Sequence, residues 1–221
     1  MTTLTTNPVA PLLERLFSEA DAVRVSAIPA IAELSGDEQA RMMRSKTDYL
    51  NLYHRLKDAP LAVSRQTGSL LYMLARGCGA SNIVEFGTSF GISTLHLAAA
   101  LRDNGGGRLI TSEFELSKVT RARDNLMAGG LLDLVEIRAG DALETLRTDL
   151  PEQIDLLLLD GAKALYPEIL GLVRSRLRPG AFIVADNADY SPEYLAIVRA
   201  PSAEFLSLPF ADDVELSIKL A

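Results

Sequence analysis

Val84-Glu85-Phe86-Gly87-Thr88-Ser89-Phe90-Gly91-Ile92-Ser93-Thr94, residues 84–94, decides how this chain is read. Ile83-Val84-Glu85 reads as a strand end, and a helical pattern opens at Gly91. Glycines at 87 and 91 let the backbone turn tightly and approach a ligand, and a helix start presents free N–H groups. The spacing is G-x-x-x-G with no third glycine, whereas a dinucleotide fingerprint reads G-x-G-x-x-G. This disfavours a nicotinamide dehydrogenase. The loop also begins with an acid, a poor neighbour for pyrophosphate. It suits a ligand bearing an ammonium and a small carboxylate, such as an amino-acid moiety. Glu85 would bind the ammonium directly or through water, and Ser93 would donate to the carboxylate. An ordinary βα turn with Ser93 at a helix start is the competing reading.

Four more strand-like runs follow, Leu109 to Glu113, Leu134 to Asp141, Ile154 to Asp160 and Ala181 to Asp186, each ending at an acidic residue. Helical segments separate them: Gly91–Leu101, Ser117–Met127, one opening at Asp141, and Tyr166–Leu177. Alternation of this kind predicts a parallel sheet of five strands. The final runs, Glu204–Leu208 and Val214–Leu220, joined through Pro209–Asp213, read as an antiparallel hairpin, giving seven strands in all. Residues up to about 80 read as helices only: Pro11–Leu16, Asp21–Leu34, Asp37–Leu56 and Leu61–Ala75. No low-complexity linker sets them apart, so residues 1–221 read as one α/β domain, with 1–60 a helical extension over the sheet edge.

In a parallel sheet the C-terminal strand ends share one edge, where open α/β folds bind ligands. A row of carboxylates there is costly unless hydroxyl donors or cations use it. Glu113 is placed to accept from both hydroxyls of a ribose, and Phe114 either covers an adenine face or joins the core. Asp141 and Glu144 have capping-box spacing, while the backbone at Ala142 is available to an adenine edge. Asp160 and the pair Asp186-Asn187 end adjacent strands and supply three oxygen ligands. A hard divalent ion such as Mg²⁺ accepts that set, and the absence of Cys and His there argues against zinc. Lys163, three residues past Asp160, reads as a general base toward a phenol, its pKa lowered by a neighbouring cation and by burial.

The formal net charge is −7 and Lys and Arg are scattered, which disfavours nucleic acid as a partner. His54 and His96 lie in helical stretches with no partner at ligand spacing, so both read as structural. Cys78 is the only cysteine, which excludes an intrachain disulfide and fits a reducing cytoplasm. The first eight residues lack the basic and apolar regions of a secretory signal, and no run is long enough to span a bilayer. A cytoplasmic protein is expected.

From Leu61 onward the chain resembles the cation-dependent S-adenosylmethionine O-methyltransferases, the group of the catechol and caffeoyl-CoA enzymes. The resemblance rests on V-E-F-G-T-S-F-G-I-S-T, I-T-S-E-F, G-D-A, L-D-G-A-K-A-L-Y, L-R-P-G-A-F-I-V-A-D-N and L-P-F-A-D-D-V-E-L-S-I. It implies a Rossmann-like class I methyltransferase fold. It implies that Val63 contacts the methionine part of the cofactor through its backbone, and that Glu85, Gly87, Thr88 and Ser93 surround that part. Glu113 with Phe114 would hold the ribose and adenine side, Ala142 would lie by the adenine, and Asp160 would face both cofactor and ion. Asp160, Asp186 and Asn187 would hold Mg²⁺, or another ion such as Mn²⁺ or Ca²⁺, and Lys163 would be the base. Ser191 falls where substrate contacts occur. A small phenolic acceptor and a homodimer are implied, with no membrane partner. The chain departs from the family in reading Asp160-Gly161-Ala162-Lys163 where members usually read D-A-D-K. It has Pro209-Phe210-Ala211 where the catechol enzyme carries a late glutamate, and it has no tryptophan. The rival functions are a tRNA hydroxyuridine methyltransferase and a non-catalytic cofactor-binding protein.

Overall fold

The computed structural model describes residues 1–201, 204–211 and 213–220. Seven strands form one sheet: β1 (Asn82–Phe86), β2 (Arg108–Glu113), β3 (Val135–Ala139), β4 (Ile154–Leu159), β5 (Leu177–Ala185), β6 (Phe205–Phe210) and β7 (Val214–Lys219). Their order is β3-β2-β1-β4-β5-β7-β6. The first five are parallel, and β7 runs antiparallel to both β5 and β6. From β1 the chain winds outward through β2 and β3, then returns to add β4 on the other side. That reversal is the switch point at which such sheets open a crevice. The terminal hairpin is tighter than Pro209–Asp213, because Pro209 and Phe210 still pair with Glu215 and Val214. Position 212 of that connection lies outside the described residues.

Alternation along the strands divides the core in two. Ile83, Leu109, Leu156 and Leu158 face a layer with α1 (Val9–Asp21), α5 (Arg65–Gly77), α6 (Ile92–Asp103) and α7 (Leu116–Ala128). Val84, Ile110, Leu157, Leu159 and Ile183 face α8 (Ala142–Thr145), α9 (Tyr166–Val173) and α10 (Pro192–Val198). Helix α6 is buried on every side from Ile92 to Leu101, because α1 and α5 pack over the surface it turns away from the sheet. Among the described residues no helix is long and apolar enough to cross a membrane.

The N-terminal extension is more broken than its periodicity suggests. Asp21–Leu34 is not one helix: α1 ends at Asp21, and Pro29 opens a single turn, α2 (Pro29–Ala32), behind an extended Ile28. Asp37–Leu56 divides into α3 (Gly36–Arg44) and α4 (Tyr49–Arg55). Ser45 ends the first, and its hydroxyl accepts from the backbone N–H groups of Thr47 and Asp48 at 3.3 and 2.9 Å. Such local bonds compete with helix. These pieces keep a small core of their own, Ile31, Met42, Leu52, Leu56 and Ala59. Further along, α9 stops at Val173, earlier than Leu177, because β5 already begins at Leu177. Pro179 and Gly180 are tolerated inside β5 because its register against β4 shifts there.

Two glycines bring the first and fourth strand ends together. A Cβ on Gly87, whose φ is +101°, would sit 2.5 Å from the Asp160 carbonyl oxygen. A Cβ on Gly161 would meet the Phe86 ring at 2.5 Å. Gly161 is therefore the residue that the position of the Phe86 ring allows. Gly87→Ala adds a positive-φ penalty of about 1–2 kcal/mol to this clash. The variant is expected to lose at least about 2 kcal/mol in urea unfolding; wild-type stability would contradict the tight contact.

Candidate active site

The βα loops after β1, β2, β3 and β4 enclose a cavity of about 300 Å³. Gly87, Glu113, Phe114, Ala142 and Asp160 all line it. Glu113 is nearly buried at the end of β2. Its Oε2 accepts from the Ser89 N–H at 2.9 Å and its Oε1 from the Glu115 N–H at 3.0 Å. Burial pushes its carboxyl up, and the N–H bonds and the Lys118 charge act against that. Asp141 accepts from the Leu143 N–H at 2.9 Å, an ordinary helix cap. The reciprocal Glu144 bond of a capping box is not formed, and Glu144 pairs with Arg147 instead.

A narrow slot continues from this cavity between Val63, Thr88 and Ser93. Thr88 Oγ1 lies 2.6 Å from Thr111 Oγ1 and so braces the loop on β2. Glu85 is fully buried and lines none of these spaces. Its two oxygens accept from Ser93 Oγ at 2.5 Å and Thr94 Oγ1 at 2.7 Å. Direct contact of Glu85 with a ligand ammonium is therefore corrected to an indirect role. The Ser93 hydroxyl proton is likewise committed to Glu85, so what Ser93 offers a ligand is its oxygen lone pairs.

A second cavity, of about 630 Å³, lies on the other side of Asp160. Asp160, Lys163, Asp186 and Asn187 form one end of it. Asp186 follows β5, and its backbone carbonyl accepts from Tyr166 Oη at 2.8 Å. Burial raises the Asp186 carboxyl to about 7, reinforced by the charge of Asp160 within hydrogen-bonding reach. Asn187 sits in the left-handed region at φ 48° and ψ 44°, a conformation that costs energy in a non-glycine residue. Its Nδ2 donates to Asp213 Oδ2 at 2.7 Å, so its Oδ1 points away from that carboxylate. Among the described residues no three Asp, Glu, His or Cys side chains form a ready cage. The set is two carboxylates and an amide, oxygen donors suited to a hard cation. Ser191 is buried at the start of α10 but lines neither cavity.

Lys163 is buried, and its Nζ donates to Asp160 Oδ1 at 2.9 Å. Burial alone would lower its pKa. The acidic surroundings, Asp160 in direct contact and Asp186 nearby, outweigh burial and hold it well above the usual lysine value. The expected lowering depends on a cation beside Lys163; with only the protein's own groups around it, Lys163 is held as an ammonium.

Three residues of the site were not read from the sequence. Ser89, at φ 47°, buries its Oγ without a hydrogen-bond partner against the smaller cavity, and its N–H orients Glu113. Lys118 is buried in the wall of the same cavity, and burial lowers its pKa against the pull of Glu113 and Glu115. A cation in the first turn of a helix opposes the dipole, which was the available signal. Tyr53 of α4 lines both cavities and donates to the Gly161 carbonyl at 3.3 Å. It brings the N-terminal extension into the site. His54 beside it is exposed and bonds Glu115 at 2.7 Å, while His96 is buried against Ile92 O, so both histidines are structural.

Burial raises Glu85 from 4.5 to about 7, despite hydrogen bonds from Ser93, Thr94 and Thr111. The folded chain then binds more protons than the unfolded chain between those values. The stability this gives is complete below about 4.5 and is lost as pH rises through about 7. At about 1.4 kcal/mol per pKa unit this is roughly 3 kcal/mol. In Glu85→Gln the fall in urea midpoint between pH 5 and 8 is expected to flatten. An unchanged slope would contradict the assignment.

A family profile described as a methyltransferase domain matches residues 84–188. The chain is 38% identical to a catechol O-methyltransferase of Niastella koreensis over 58% of each chain. It therefore spans less than two thirds of the length of that relative. A putative O-methyltransferase of a Mycobacterium species is 31% identical over 75% of this chain and 72% of its own. Among solved structures, the O-methyltransferase TomG of Streptomyces achromogenes, in complex with S-adenosylmethionine, superposes with a TM-score of 0.64. It is 27% identical, over 95% of this chain and 99% of its own. With its sheet order, its glycine loop and these relatives, the chain belongs to the O-methyltransferase family.

Proposed function

We propose that this protein is a divalent-cation-dependent O-methyltransferase that moves the methyl of S-adenosylmethionine to a hydroxyl of a catechol-like phenol. The observation that carries this reading is the position of Asp160. It separates two cavities, lines both, and holds Lys163 while facing Asp186. The smaller cavity suits the cofactor, because Glu113 ends β2 where ribose hydroxyls are held and the acidic edge favours a sulfonium. The larger cavity suits the acceptor.

The residues at the boundary fit a dication. Asp186, pushed up to about 7 beside Asp160, marks two carboxyls that repel unless something positive or a proton sits with them. Asp160, Asp186 and Asn187 would hold the ion. When bound, it would supply charge that lowers the pKa of an acceptor hydroxyl and opposes the field now keeping Lys163 protonated. S-adenosylmethionine supplies an activated methyl on a sulfonium.

The remaining work belongs to the chain. Glu113, fixed by two N–H groups, holds one end of the cofactor. Thr88 and the Glu85–Ser93–Thr94 bonds keep the glycine loop rigid. Asp160 Oδ1 orients Lys163 Nζ, which would take the proton of the acceptor hydroxyl as the neutral amine, having first released its own proton to water. Tyr53 and Leu61 stand at the boundary of both cavities and keep water from the methyl path. Positioning and charge stabilisation then account for most of the rate.

Lys163→Ala is expected to lower kcat on a catechol by at least about a hundredfold. Calorimetry is expected to show cofactor binding changed much less. Equal losses in both would refute the role. EDTA is expected to abolish turnover and Mg²⁺ to restore it; full turnover in chelator would remove the cation from the account.

A further inference from the structure

The larger cavity describes its occupant in more detail than catechol chemistry requires. Its volume of about 630 Å³ falls within the range of drug-sized ligand pockets, about 300–1,000 Å³. A single benzene ring fills an apolar cavity of only about 150 Å³. The reactive end is set by Asp160, Lys163, Asp186 and Asn187, and the rest of the wall comes mainly from the N-terminal extension. Ile31, Met43, Leu52 and Leu56 make much of that wall apolar.

The positive charges of this wall are already matched. Only Lys163 and Arg65 among the lining residues are cationic. Lys163 is bound to Asp160. The Arg65 guanidinium stacks 4.5 Å from the Phe17 ring centroid, bonds Glu14 at 2.9 Å and approaches Asp21 at 3.7 Å. Asp21 itself lines the cavity. An acceptor tail carrying phosphates or a carboxylate would find an acid and no unmatched base among these lining residues, while such groups need Arg or Lys partners when held.

Resting on the O-methyltransferase reading above, we propose that the acceptor is an uncharged ortho-diphenol carrying several fused or linked apolar rings. A single-ring catechol would leave most of the cavity wet. A coenzyme A thioester or a dihydroxybenzoate would lack a counter-charge. Burial of the extra rings against the apolar wall of the extension selects the substrate.

The test compares kcat/KM with S-adenosylmethionine and Mg²⁺ for four probes: 2-hydroxyestradiol as a neutral four-ring catechol, catechol, 3,4-dihydroxybenzoate and caffeoyl-CoA. The first is expected to exceed each of the others at least tenfold. Val25 lines the cavity and is 38% exposed, so its replacement leaves the core intact. Val25→Trp is expected to reduce the ratio of 2-hydroxyestradiol to catechol at least fivefold. Methyl transfer that favours catechol or either anion, or a ratio that Val25→Trp leaves unchanged, overturns this proposal and leaves the O-methyltransferase reading intact. Transfer to none of the four overturns that reading, and the substrate proposal falls with it.

Discussion

Two carboxyls at the ends of adjacent parallel strands cannot both be charged and buried without a counter-charge. The rest of the site follows from that constraint. Asp160 is satisfied by Lys163, while Asp186 is left with its carboxyl raised to about 7. Replacing one such partner in a buried pair leaves an uncompensated charge, so Asp160, Lys163 and Asp186 act as a unit. A dication, as proposed above, would satisfy all three together, relieving the repulsion between the acids and weakening the hold of Asp160 on the ammonium. The charge arrangement that makes this pair of carboxyls costly is the one that makes it receptive to a cation.

Backbone packing sets this unit in place. Gly87 lies against the Asp160 carbonyl and Gly161 against the Phe86 ring, so the glycine loop and the fourth strand end share one surface. The Asp160 N–H also donates to Phe86 O at 2.8 Å. Cofactor loop and acceptor end are thereby in fixed register. Of the two departures from D-A-D-K, Gly161 fits the space left by the Phe86 ring, and Ala162, in place of the second acid, lines the smaller cavity with an apolar side chain.

The sequence was most legible where strand ends carry the chemistry. Asp160, Asp186, Asn187 and Lys163 converge because parallel strands must present their C-terminal ends on one edge, a rule that needs only the alternation of elements. Glu113 follows for the same reason. It was least legible where competing local bonds or long-range contacts decide. Ser45 and Pro29 divide helices whose apolar periodicity runs on unbroken. Ser89, Lys118 and Tyr53 enter the site through loop geometry and helix docking, neither of which leaves a spacing signal. The direct contact of Lys163 with Asp160 was not legible, because a sequence shows which residues are near it but not which partner is closer. Glu85 was legible as a ligand-edge acid, yet only the fold shows that Ser93 and Thr94 take both its oxygens.

The central claim is that a dication is held between Asp160, Asp186 and Asn187. Crystals grown with S-adenosylmethionine and Mn²⁺, measured for anomalous scattering of manganese, test it most directly. The account predicts one strong anomalous peak within coordination distance of oxygens from all three side chains, beside Lys163 Nζ. A difference map without a peak there, or with manganese bound only elsewhere, would contradict it.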